Sequence, residues 1–192
     1  ISSSDAFKSL FRPLYIFIAF CMLLSAATEL GTTQRIESLL KETGVNALLV
    51  LAFINGVMML GRYYAGPVSK KLSVLGMLLL SALFSFVGLQ LLAISSGNYV
   101  FISAAVFAIG ITFFWPTTLA FVSENIPESG AFGLSLMGGL GNLSVALVLP
   151  LMGRYMDSSV SLEVIQRMSI LPAVLCLCYL ILLFNQKHKA AL

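Results

Sequence analysis

The stretch Leu72–Ile94, LSVLGMLLLSALFSFVGLQLLAI, decides the fold class. It contains no charged residue, and as a helix it is about 35 Å long, enough to cross a hydrocarbon core of roughly 30 Å. A membrane barrel strand is only about ten residues long and alternates polar with apolar side chains. Runs of the same continuous kind flank it on both sides. They predict six membrane spans, at 13–33, 45–64, 72–94, 99–122, 131–152 and 168–184. The predicted organisation is a linker at 1–12, a helical bundle over 13–184 and a tail at 185–192. The expected fold is an all-α membrane protein.

Composition agrees with that reading and excludes others. Of 192 residues, 59% are hydrophobic and 10% charged, with a mean hydropathy of +0.99. A soluble domain is about a quarter charged, so a soluble enzyme is excluded. Disorder requires low hydrophobicity and high net charge. The net charge of +3 is scattered along the chain, which leaves no basic face for nucleic acid. Cys21, Cys176 and Cys178 all lie in apolar runs and read as small hydrophobes rather than a disulfide frame. The single histidine, His188, lies in the tail. No Cys/His metal site, cofactor or histidine-activated serine protease is therefore implied, and no enzyme is expected. Residue 1 is Ile, which reads as a piece of a longer chain.

The basic residues divide by side. Lys8, Arg12, Arg62, Lys70, Lys71, Lys187 and Lys189 fall on one side of the six spans, and Arg35, Lys41, Arg154 and Arg167 on the other. The richer side is cytoplasmic. Both termini are expected there, in a multi-pass protein of the plasma (inner) membrane.

A short repeat refines the architecture. Leu60-Gly61-Arg62-Tyr63-Tyr64 through Val68-Ser69 ends the second span, and Met152-Gly153-Arg154-Tyr155-Met156 through Val160-Ser161 ends the fifth. Each copy closes the second helix of a triplet, and the two copies lie on opposite sides. This predicts two inverted three-helix repeats.

The run Gly61-Arg62-Tyr63-Tyr64-Ala65-Gly66-Pro67-Val68-Ser69-Lys70-Lys71 resembles the cytoplasmic signature loop of the major facilitator superfamily. Gly61, Gly66, Lys70 and Lys71 match the pattern, whereas Ala65 replaces the usual acidic residue. The Gly61-Arg62 opening is similar to the fucose–proton symporter-like branch, and Phe114-Trp115-Pro116 resembles a segment of sugar carriers. The resemblance implies the carboxy-terminal six helices of a twelve-helix secondary transporter. It also implies an amino-terminal half as partner, in the same or a separate chain.

Polar residues within the spans supply the candidate site. Asn55 and Asn142 each lie near the middle of a predicted span and are expected at one depth. They either contact a hydroxylated solute or bond a neighbouring helix as packing glue. Thr32, Gln34 and Trp115 complete the candidate solute-binding set. Trp115 beside Pro116 either stacks on a sugar ring at a kink or anchors the membrane interface. Glu29 is the only acidic residue inside an apolar run. An intramembrane carboxylate is costly and a functional candidate by default; here it carries a coupling proton or binds solute, or else it pairs with Arg35 or the headgroups. Glu124 with Arg62 or Lys70 is a candidate cytoplasmic latch. The expected function is half of a secondary active transporter moving a small polar, sugar-like solute by alternating access, with proton symport. The alternative is a stand-alone six-helix substrate-capture subunit of a vitamin importer.

Overall fold

The computed structural model describes residues 3–41, 43–158 and 161–190, with side chains over 6–41, 43–156 and 163–186. Among the described residues there are helices and turns but no strand. Five helices there are long and apolar enough to cross a membrane: Pro13–Gln34, Val74–Ile94, Tyr99–Asn125, Pro127–Met156 and Glu163–Gln186. The second predicted span is shorter than expected, an apolar helix of 17 residues at Ala47–Tyr63. The chain is all-α, and its apolar helices are consistent with a multi-pass membrane protein. We label the long helices α1 (Pro13–Gln34), α2 (Ala47–Tyr63), α3 (Val74–Ile94), α4 (Tyr99–Asn125), α5 (Gly130–Ser158) and α6 (Ile170–Ala190).

Helix ends follow local chemistry. Pro13 holds Arg12 in an extended conformation and occupies the first turn of α1, where no N–H is needed. Asn46 caps α2 by accepting from the Leu48 and Leu49 amides, so α2 starts later than hydropathy predicts. Ser73 caps α3 through the Gly76 amide. Gly130, at φ 52°, turns the chain from the 3-10 turn Pro127–Ser129 into α5. The linker is not featureless, for Ser3–Ser9 is helical. The tail continues α6 to Ala190. A short amphipathic helix, Ser161–Met168, precedes α6. In the second copy of the Gly-Arg repeat, Ser159 and Val160 lie outside the described residues, as do the side chains of Lys187, His188 and Lys189.

Packing sets the helix directions. A side chain at Gly88 would collide with the Phe107 backbone, and one at Gly110 with the Ser85 backbone. These contacts make α3 and α4 antiparallel at close approach. Gly61 meets Thr112 and Phe53 meets Phe101, so α2 runs parallel to α4. Tyr15 Oη donates to the Gly133 carbonyl at 2.7 Å, and Ser144 Oγ to the Leu23 carbonyl at 2.6 Å, which makes α1 and α5 parallel. Gln90 Nε2 donates to Ser169 Oγ at 2.8 Å, tying the end of α3 to the start of α6. The principal contacts therefore join α2 and α3 to α4, α5 and α6 to α1, and α3 to α6. Of the five long helices α5 is the least buried, and α2 exposes Leu48, Leu49, Met59 and Leu60.

Candidate functional site

Two interruptions in the helices build the site. The first lies in α1, where Ala27–Gly31 forms a π-helical turn. Such turns redirect side chains and break the regular ladder. Thr28 and Thr33 back-bond to the Leu24 and Glu29 carbonyls, each at 2.8 Å. The turn presents Glu29, 6% exposed, to the interior. The second lies in α4, which breaks between Ile111 and Phe114. Proline at position 116 has no N–H to give the Thr112 carbonyl one turn earlier. In an apolar medium such a carbonyl must find another donor.

Arg62 joins the two interruptions. Its Nε donates to the Thr112 carbonyl at 3.1 Å, and its Nη2 to Glu29 Oε1 at 3.4 Å. One guanidinium thus satisfies the carbonyl freed by Pro116 and neutralises the carboxylate turned inward by α1. Gly61 makes the approach possible, since a Cβ there would sit 2.8 Å from Thr112 Cγ2. Glu29 Oε2 and Thr32 Oγ1 remain buried without a hydrogen-bond partner among the described residues. The ion pair is asymmetric, with 45% of the Arg62 side chain exposed against 8% of the Glu29 side chain.

An open depression of about 290 Å³ lies between the end of α1 and the start of α2. Thr33, Gln34, Glu37 and Asn55 supply its polar lining and Leu48 and Leu51 much of the rest. Asn55 and Arg62 are two turns apart on one face of α2, about 10 Å along its axis. The α1–α2 seam therefore carries polar groups at two levels, Gln34 and Asn55 at the depression and the Glu29–Arg62 pair about two turns of α2 away, with Met58 and Met59 between them on α2. It offers amide donors and acceptors, a carboxylate and a guanidinium within otherwise apolar helices, chemistry suited to a small hydroxylated or charged solute.

The remaining candidate residues fall elsewhere. Trp115 is half-buried and its ring packs on Gly141 of α5. Asn142 is exposed beside it. Asn55 lies near the Phe101 level of α4 and Asn142 near the Trp115 level, about 20 Å apart along α4. The two amides do not share a depth, because α2 is short while α5 runs for 29 residues. Conversely, Trp115 is one turn from Thr112, which places the indole and the ion pair closer in depth than the span positions imply. Glu29 pairs with Arg62 instead of Arg35, whose guanidinium reaches Gly153. Gly61 and Arg62 belong to the last turns of α2, not to a loop; Gly66 lies in the short helix Ala65–Ser69, with Lys70 and Lys71 exposed beyond it. Arg62 bonds Glu29 and the Thr112 carbonyl rather than Glu124, and Arg12 donates to both oxygens of Glu128, at 3.2 and 3.3 Å. Among the described residues no cluster of metal-ligating side chains occurs.

Two members of the ion-pair cluster are not expected from the sequence, the Thr112 carbonyl and Arg62 as the partner of Glu29. The available signal was Pro116, whose freed acceptor lies four residues before it. Comparisons with protein-family models, with curated proteins and with solved structures return no match.

Proposed function

We propose that this chain is one half of a secondary active transporter that carries a small polar, sugar-like solute by alternating access, with Glu29 as its proton-coupling carboxylate. The observation that carries this reading is the Glu29–Arg62 pair on the Thr112 carbonyl, held at two helix interruptions about two turns of α2 from an open depression that Gln34 and Asn55 line. Midplane sites at broken helices are a recurrent design of such carriers. The unpartnered Oε2 of Glu29 supplies an oxygen for the coupling proton.

The helix directions support six crossings. α1 and α3 both run antiparallel to α4, so the segment between them returns across the bundle. α2 is its apolar part, and at about 25 Å it falls somewhat short of a typical core. The packing also supports an inverted repeat. Exchanging α1 with α4, α2 with α5 and α3 with α6 converts the α2–α4 contact into α5–α1 and the α3–α4 contact into α6–α1. The sparsely covered α2 and α5 are then the helices that meet the amino-terminal half. In this reading the protein sits in the plasma (inner) membrane with both termini cytoplasmic.

The test is protection of the depression by solute. The assembled transporter carries Asn55→Cys, with Cys21, Cys176 and Cys178 replaced by Ser. A membrane-impermeant maleimide should label position 55, and at least one member of a panel of hexoses, pentoses and polyols should slow that labelling several-fold. Labelling unaffected by the whole panel overturns the assignment of the depression to solute.

A further inference from the structure

A second concavity lies on the α5–α6 side of the bundle, where Val148, Met152 and Met168 of its lining face Gly31 of α1. It is a groove of about 510 Å³ between the last third of α5, the helix Ser161–Met168 and the start of α6. Val148, Leu151, Val164 and Ile170 line it with hydrocarbon, and Tyr155 and Arg167 stand at one end. From Val148 to Tyr155 it extends about 10 Å along α5. Leu151 and Ile170 are 53% and 60% exposed, so the groove opens sideways from the bundle.

The charged end has a defined geometry. The Arg167 guanidinium lies 5.5 Å from the centroid of the Tyr155 ring, a cation–π contact that fixes its position. Among the described residues Arg167 has no carboxylate partner, although Glu163 lies one turn earlier on the same helix. Tyr155 is three residues from the end of a helix about 43 Å long, beyond the hydrocarbon core and at headgroup level, where tyrosine rings concentrate. The apolar wall descends from that point toward the core. Arg35 also reaches this end of α5, at Gly153.

The geometry points to a binding site for one anionic phospholipid of the surrounding bilayer, with an acyl chain laid along the α5–α6 groove and its phosphate on the Arg167 guanidinium. The groove has the two features that distinguish such a ligand from bulk lipid. Its wall is shaped for a chain lying parallel to the helices. The cation of its lining, Arg167, is positioned by an aromatic ring to form charge-assisted hydrogen bonds to phosphate oxygens. The groove and the α1–α2 depression share no lining residue, so the site stands whether or not that depression carries solute.

The test is native mass spectrometry of the full chain in detergent, titrated with phosphatidylglycerol and phosphatidylcholine of identical acyl chains. One phosphatidylglycerol should be retained about five-fold more tightly than phosphatidylcholine, the factor expected of one basic side chain at a membrane surface. Arg167→Gln should abolish that preference, and Lys71→Gln, at the opposite end of the bundle, should leave it intact. Leu151→Trp, which fills the groove, should weaken retention of both lipids, and Ile170→Trp should do the same. Both positions are solvent- or lipid-facing, so neither change burdens the core. An unchanged preference in Arg167→Gln overturns the site, as does parental retention in both tryptophan variants. A change in oligomeric state in the tryptophan variants, with lipid retention unaltered, would assign the groove to a second copy of the chain.

Discussion

Arg62 spends its donors on two debts created elsewhere in the chain. Pro116 leaves the Thr112 carbonyl without an amide, and the π-helical turn of α1 brings a carboxylate inward. Removing the guanidinium leaves both uncompensated. Breaking a fully buried pair costs about 3–5 kcal/mol, and an exposed pair is worth under about 1. With Glu29 buried and Arg62 half-exposed, Arg62→Ala should cost about 2 kcal/mol in thermal or denaturant unfolding in detergent. Glu29→Gln combined with Arg62→Gln should recover most of that loss, because no charge remains to be paired. Parental stability of Arg62→Ala would show that the pair does no structural work. Glu29 itself was legible in the sequence, as the one acidic residue of an apolar run. Its partner was not, because counting from predicted span ends put Arg62 and Glu29 at opposite surfaces. α2 packs on the first half of α4, Phe53 on Phe101 and Gly61 on Thr112, so Arg62 lies level with the middle of α4 although it ends α2.

At the scale of elements, glycine decides how closely helices meet. Gly61 lets α2 come within reach of Thr112, and without that approach Arg62 cannot bond the carbonyl. Gly61→Ala places a Cβ at 2.8 Å from Thr112 Cγ2 and should cost about 1–3 kcal/mol by overpacking. Thr112→Ser removes that methyl, so the double variant should regain most of the stability. If Thr112→Ser fails to rescue Gly61→Ala, the close contact lies elsewhere. Hydropathy located the five helices long enough to span and the shorter α2, since each is a continuous apolar run. The break in α4 is legible from Pro116 rather than from hydropathy, and the π-helical turn in α1 is not legible, because it arises from hydrogen bonds rather than from apolarity. Nor could hydropathy separate the α3–α4 glycines, Gly88 and Gly110, from other small residues, because their role depends on which helix lies opposite.

For the whole molecule, direction is the testable property. The contacts make α1, α3 and α5 run one way and α2 and α4 the other. Single cysteines at Ser69 and Ser96, both exposed in connections at the two ends of α3, should therefore react from opposite sides of the membrane. Ser69 should be reached from the cytoplasm. Labelling of both from one side would remove the six-crossing arrangement and the inverted repeat together.

The most direct test of the central claim is transport by Glu29→Gln in the assembled transporter, reconstituted in proteoliposomes. Glutamine keeps the shape and can still accept from Arg62, but it cannot carry a proton. Solute accumulation driven by a pH gradient should be lost, while exchange of labelled for unlabelled solute stays within a few-fold of the parent. Accumulation at the parental level in Glu29→Gln would contradict the assignment of Glu29 as the coupling carboxylate.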